Sequence, residues 1–480
     1  MSDYPESSNR RSRWAAFGPG LLFAGAAIGV SHLVQSTRGG AEFGMSAALV
    51  VIVSCLVKWP AFRFGPLYAS ATGNSLLDGY RRRGRGTLVI FGLMTLAVCF
   101  TTLAAVTVVT AGLLFNLLPG LKTWVASLGL PGDGRLDVTW VSGGLLALVG
   151  LGLLTGGYRL LERVMKVVMP VLALCTVVSA GLAVSRIAPE SWTAMPPVED
   201  SSARSLLAAI IGWMPAPIDI AVWSSLWTLA KVRSTGRRSS VRSVVLDFDT
   251  GYFSTLVLAV GFVILGASVM HGSGIEFSNQ APEFGRQIVD LYAAQLGEWT
   301  RPIIAVAAFL AMLSTTVTVA DGFPRATAAL VASFFGPVRP TRETRGDGMI
   351  PRIMQQVIER SLTSESGGEK DPISEASPEK DRGSEGGILA YWISFLGIAA
   401  GAIWILVKVV PEDFKRLIDV VTITSFFVAP VLVFFNHRCV TGSEMPSSLR
   451  PNLMWRMWSW VCFAATLGLA GVYLTLLAFD

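Results

Sequence analysis

Ser31, His32, Gln35 and Arg38 stand close together in the first hydrophobic segment, followed by Gly39-Gly40. A hydroxyl, an imidazole that titrates near neutral pH, a carboxamide and a permanently charged guanidinium can bind a small ion and pass protons. Ser31, Gln35 and Arg38 fall at i, i+4 and i+7, which predicts one stripe of a helix. Arg38 then lies roughly 10 Å beyond Ser31 at 1.5 Å per residue. Two roles suit it there: a positive field over a site, or a side chain that snorkels to the outer interface.

These groups interrupt what would otherwise be a membrane helix. Phe17 to Ile28 is apolar, and Gly29, Ser31 and His32 then break the run. Glycine costs about 1 kcal/mol in a helix interior. Backbone freed at membrane depth must bond to protein, water or a ligand. A polar break in mid-span is where a transporter holds its substrate, or else a kink that neighbouring helices satisfy.

A second break follows in Ile211-Gly-Trp-Met-Pro-Ala-Pro-Ile-Asp-Ile220. Interior proline costs about 3 kcal/mol, and Pro215 and Pro217 are both present. The candidate substrate contacts are therefore Gly29, Ser31, His32, Gln35 and Arg38 from the first break, with Met214, Pro215 and Ala216 from the second. With Pro217 opening the second half-helix, Asp219 sits in its first turn. It either offsets the free N–H groups there or takes an ion or proton. His32 and Asp219 are the candidate proton carriers.

Composition says what must position these residues. Of 480 residues 52% are hydrophobic and 15% charged, against roughly 25% charged in soluble proteins. Apolar runs long enough to cross a bilayer recur along the chain. Eleven spans are expected: 17–42, 45–70, 87–117, 138–156, 160–185, 203–230, 251–270, 302–320, 387–409, 416–436 and 453–478. Asp247 and Asp249 then fall near the start of the seventh, where acids suit a helix N-terminus. Thr315, Thr316 and Thr318 in the eighth either line a pathway or pack helices.

Basic residues gather in alternate loops: Arg10, Arg11 and Arg13, then Arg81 to Arg85, Lys231 to Arg242, and His437-Arg438. By the positive-inside rule these face the cytoplasm of an inner membrane, which puts the N-terminus inside and Asp480 outside. Spread through short loops, this charge points to no nucleic-acid partner. The five cysteines have no metal-ligand spacing.

The expected organisation is a cytoplasmic N-terminus over 1–16 and a first repeat of five helices over 17–185. Helices 6–8 of a second repeat follow over 203–336, then a charged, Ser/Gly/Pro-rich cytoplasmic linker over 337–386. Helices 9 and 10 occupy 387–440 and an eleventh 452–480. The linker is expected to be largely disordered, with a surface helix over Ile350–Leu362. Breaks in the first and sixth spans point to an inverted repeat of five plus five.

Gly18-Pro-Gly-Leu-Leu, Gly40-Ala-Glu-Phe-Gly44, Tyr158-Arg-Leu-Leu-Glu162 and Met214-Pro215 resemble landmarks of the Nramp family, in the expected order. That resemblance implies an all-α integral membrane protein of LeuT-type fold, a proton-coupled secondary transporter. It also marks a divergent clade without the metal-binding motif. The family's Asp-Pro-Gly-Asn of helix 1 falls on Gly29-Val30-Ser31-His32, and its Met-Pro-His-Asn of helix 6 falls on Met214-Pro215-Ala216-Pro217. The helix 6 histidines fall on Ala216 and Ala221, and the helix 3 carboxylates on Thr102 and Ala105. Of the family's ligand set Met214 remains.

Hard divalent cations need carboxylate oxygens, and one thioether with one imidazole supplies no formal negative charge. Two half-helix N-termini near the midplane favour an anion. The expected cargo is a small oxyanion such as bicarbonate, moved with protons across the bilayer, with neither metal nor cofactor bound as a resident group. The alternatives are a divalent-cation transporter for manganese, iron or magnesium, or a membrane receptor or scaffold that has lost transport. No nucleophile–base pair points to an enzyme.

Overall fold

The structure, a computed structural model, describes residues 18–128, 137–155, 157–235, 238–274, 277–336, 384–408 and 414–479. The N-terminal segment 1–16, the surface helix expected over 350–362 and residues 337–383 of the expected linker lie outside them. So do the side chains of Tyr158 and Glu162. Among the described residues every regular element is helical.

The first crossing comes in pieces: α1 (Pro19–Ala27), a π-helical turn (Val30–Ser36) and α2 (Thr37–Phe43). It is followed by α3 (Ser46–Thr72), the short α4 (Leu76–Arg82), α5 (Arg85–Leu117), the short α6 (Gly120–Ser127), α7 (Asp137–Thr155), α8 (Gly157–Ala183) and the short α9 (Pro189–Thr193). The sixth crossing is again divided, into α10 (Ser201–Trp213) and α11 (Ile220–Thr235). Then come α12 (Val241–Val269), the amphipathic α13 (Ala281–Leu296), α14 (Arg301–Phe335), α15 (Ser384–Lys408), α16 (Phe414–Val440) and α17 (Leu453–Phe479).

Among the described residues ten helices are long and apolar enough to cross a membrane. The sixth crossing falls short of that length only because each of its halves is counted alone. The chain is thus a multi-pass membrane protein with the expected order of spans. Two spans are longer than hydropathy predicts. The seventh starts at Val241 because Ser240 accepts the Ser243 N–H at 3.1 Å and caps it. The eighth continues to Phe335. Asp247, Asp249, Asp321 and Arg325 therefore lie inside helices, not at their ends.

Burial shows which crossing is the axis. The most apolar window of the first crossing is 94% buried within the protein, against 22% for α15 and 17% for α17. The last two turn most of their surface to lipid. Helix 1 can be central because it meets α12 backbone to backbone. A Cβ on Gly20 would run into the carbonyl of Asp247, and one on Gly251 into that of Gly20. At the other end Gly40 faces the Val263 carbonyl and Gly266 the Thr37 carbonyl. Asp247, read from the sequence as a helix-start acid, instead accepts the Gly20 N–H at 2.9 Å and the Gly18 N–H at 3.3 Å. It caps the N-terminus of α1 from a neighbouring helix. Asp249 binds Arg63 at 3.0 Å and Trp59 at 2.9 Å.

Candidate substrate site

The helix 1 break centres on Gly29, with φ −135° and ψ −127°. A Cβ there would lie 2.6 Å from Thr315 Cγ2, so glycine is what lets the break close against α14. Beyond it the chain winds with i→i+5 bonds, not as the α-helix that the i, i+4, i+7 stripe assumes. Ser31, Gln35 and Arg38 consequently do not converge on one point.

His32 is wholly buried and points toward α12, where Nε2 lies 3.0 Å from the Thr255 carbonyl oxygen. Its Nδ1 lies 2.8 Å from Ser31 Oγ, which is itself 2.5 Å from the Ala27 carbonyl and 3.2 Å from that of Pro215. Carbonyls only accept, so both ends of this chain demand a proton. The three shorter contacts need three protons, and a neutral imidazole with one hydroxyl supplies two. An imidazolium fills all three without any atom moving.

Gln35 and Arg38 face α16. Arg38 makes a two-pronged pair with Asp419, at 2.7 Å and 3.2 Å, and donates to Gln35 Oε1 at 3.2 Å. Gln35 in turn donates to Thr422 Oγ1 at 3.3 Å. The two charged side chains are 11% and 24% exposed. This corrects both sequence readings of Arg38. It does not snorkel, and its charge is matched by a carboxylate, so it offers no free positive field in this state. We expect Arg38→Gln and Asp419→Asn each to destabilise by about 1–3 kcal/mol, the low end for a partly exposed pair. The double variant should lose less than the sum, which a thermal-unfolding cycle measures.

At the helix 6 break, α10 ends where the Met214 N–H bonds to Ile210 O at 2.9 Å. Lys58 of α3 caps this end from outside: Nζ donates to the carbonyls of Ile211 at 2.6 Å and Gly212 at 3.4 Å. Lys58 is 2% exposed, and among the described residues it forms no ion pair. A cation is favoured at a helix C-terminus. Met214 Sδ is 3.6 Å from Ser36 Oγ, and Ala216 is fully buried.

Asp219 immediately precedes α11. The amides nearest its carboxylate are those of Asp219 itself and Ile220, whereas a helix cap accepts from the second or third amide of the helix. The amides of Ala221 and Val222 bond the backbone carbonyls of Ile218 and Asp219 instead. Its Oδ1 is buried with no hydrogen-bond partner among the described residues.

Between the two breaks lies a cavity of about 10 Å³, close to one water in size. Ser31, Thr102 and Thr315 supply its hydroxyls, and Trp213, Trp223 and Val106 much of its apolar wall. Of the eight expected substrate contacts, Ser31 lines it. His32 touches it through the Ser31 hydroxyl, and Pro215 through its carbonyl on the same hydroxyl. Gly29 is packed on Thr315, while Gln35, Arg38, Met214 and Ala216 stand behind or beyond this wall. Thr315 lines the cavity; Thr316 bonds Thr110 at 2.7 Å and Thr318 bonds back to its own helix.

The Arg38–Asp419–Gln35 cluster lies outside the cavity lining. Trp223 in the cavity wall forms an aromatic plug, edge-on to Phe323 at 4.7 Å and to Trp227 at 6.0 Å. Behind this plug Asp321 holds Arg325 at 2.6 Å, Tyr391 at 3.0 Å and Trp227 at 3.2 Å. Asp321, Arg325 and Tyr391 border a cavity of about 480 Å³. Lys58, Asp321 and Asp419 were the groups that sequence reasoning missed. Each is an ionisable residue inside an apolar span, which is itself a signal of function.

Among the described residues no three His, Cys, Asp or Glu side chains gather. A divalent cation in this cavity would meet neutral oxygens and aromatic rings, which do not offset its desolvation.

A family model for natural resistance-associated macrophage protein-like sequences matches residues 20–346. An uncharacterised protein of Pasteurella multocida is 37% identical over 325 residues, 67% of this chain and 71% of its own length. A divalent metal cation transporter MntH of Xanthomonas campestris is 28% identical over 269 residues, 54% of this chain and 57% of that relative. Among solved structures, a manganese transporter of Eremococcus coleocola superposes with a TM-score of 0.51 at 15% identity, covering 99% of this chain and 97% of that one. MhsT in complex with L-phenylalanine superposes with a TM-score of 0.55 at 13% identity, covering 95% and 97%. These likenesses establish the LeuT-type fold.

Proposed function

Because the chain belongs to the natural resistance-associated macrophage protein-like family, and so is a membrane transporter, we propose that its cargo is a small oxyanion, bicarbonate first, carried with a proton. The supporting observation is the carbonyl–imidazole–hydroxyl–carbonyl chain through His32 and Ser31, which is one proton short when neutral. Filling it places a positive charge in a wholly buried position, and that is costly unless an anion sits beside it. Ser31 shares its oxygen between His32 and the cavity, so an anion there lies next to the imidazole. Proton and anion then stabilise one another, and the pair crosses as a neutral unit.

Ser31 is the direct substrate contact in this reading. Gln35 and Arg38 join it once Asp419 lets go, and Gly29, Met214, Pro215 and Ala216 shape the site. Asp219, with its unbonded Oδ1, is the second proton acceptor. The protein lies in the inner membrane with its N-terminus cytoplasmic and its C-terminus outside, following the basic loops.

A second reading, divalent-cation transport, is favoured by the MntH relatives. Flux into proteoliposomes separates the two, using labelled bicarbonate and nitrate against manganese, iron and cadmium, with a pH-sensitive dye inside. The expected result is saturable oxyanion uptake with acidification of the lumen, and cation uptake no greater than in empty liposomes. Saturable manganese uptake without an oxyanion response establishes the second reading instead.

A further inference from the structure

Away from the substrate site, four arginines surround a cavity of about 570 Å³. Arg81 and Arg82 come from the last turn of α4, Arg83 from the residue after it and Arg438 from the last turn of α16. The turn toward α17 closes the cavity and brings its one carboxylate, Glu444.

That carboxylate is already engaged. Arg83 binds Glu444 at 2.7 Å, and Tyr68 OH donates to it at 3.3 Å. Arg83 also bonds the carbonyls of Gly79, Arg438 and Cys439, so it fastens the α16–α17 turn onto α4. Gly442 lies directly under this pair, where a Cβ would displace the ends of the Arg83 and Glu444 side chains. Arg81 has no such partner: its Nε is buried without a hydrogen bond among the described residues. Arg438 is exposed, with its backbone already held by Arg83.

We propose that this cavity binds a phosphate group, as the phosphodiester of an anionic lipid headgroup, with Arg81 and Arg438 as its forks. Guanidinium groups match phosphate oxygens two at a time. With Glu444 already held by Arg83, Arg81 and Arg438 keep the lining positive, and the cavity sits at the ends of crossings, the depth at which headgroups lie. Free phosphate would satisfy the same chemistry.

The test uses the full chain in nanodiscs of phosphatidylcholine, of an equal mixture of phosphatidylcholine and phosphatidylglycerol, and of phosphatidylcholine with inorganic phosphate added. Wild type should unfold several degrees higher in the mixture than in phosphatidylcholine. The Arg81→Gln/Arg438→Gln variant should lose most of that shift yet unfold like wild type in phosphatidylcholine. A shift that inorganic phosphate reproduces in wild type alone makes the soluble anion the source. If the glutamine variant fails to fold, Arg81→Lys/Arg438→Lys replaces it, keeping charge without the fork, and a reduced shift is again expected. Equal shifts in wild type and variant, or none in wild type, overturn the proposal.

Discussion

Proton-linked uptake should fall to the background of empty liposomes in His32→Gln, while the protein stays folded. Glutamine can still donate to the Thr255 carbonyl and fill most of the space, but it cannot take up a proton. His32→Ala is the harsher test. It removes the donor to the Thr255 carbonyl and leaves a cavity where a wholly buried ring stood, while Ser31 keeps its bonds to the Ala27 and Pro215 carbonyls. Wild-type flux should rise as the outside pH falls, because protonation completes the chain; in His32→Gln the dependence should flatten. Wild-type pH dependence in that variant would assign His32 to packing and remove the support for proton coupling.

The second large effect is expected at Lys58, and it should separate transport from stability. Burying an ammonium costs several kcal/mol. Against that stand two charge-assisted bonds to carbonyls, about 1.5–3 kcal/mol each, and the field of the α10 terminus, up to about 2 kcal/mol. These nearly cancel, so Lys58→Met should unfold within a few degrees of wild type. Transport, by contrast, should drop more than tenfold, because the end of α10 next to the break is no longer held. Lys58→Arg should destabilise, since a longer, branched cation must replace a side chain that is 2% exposed. Normal flux in Lys58→Met would make the lysine a dispensable cap.

The two breaks were legible because glycine and proline are backbone instructions. Gly29, Pro215 and Pro217 say where a helix stops whatever packs around it. The bundle was equally legible, since a hydrophobic run has few other fates in a membrane. What could not be read was rotation. Once the chain past Gly29 winds as a π-helix, each side chain turns away from its α-helical bearing, so Arg38 meets Asp419 instead of looking over the site. Partners distant in sequence were invisible for the same reason. Nothing local to Lys58 says that its ammonium ends on Ile211, and nothing local to Asp247 says that it caps α1. That Trp213 and Trp223 wall the cavity also depends on which faces two separate half-helices present.

The glycine contacts between helix 1 and α12 bear on motion. Side chains can rotate past one another, but a carbonyl seated where a Cβ would be leaves no slack to slide. With such seats at Gly20 and Gly251 below the break, and at Gly40 and Gly266 above it, the two halves of helix 1 are fastened to opposite ends of one helix, α12. The two travel as one body. The motion we expect for alternating access is a rocking of that body against the helices carrying Thr315 and Asp419, on the microsecond-to-millisecond scale of domain motions. The parts that must part company are the Arg38–Asp419 pair at one end and the Trp223–Phe323 contact at the other.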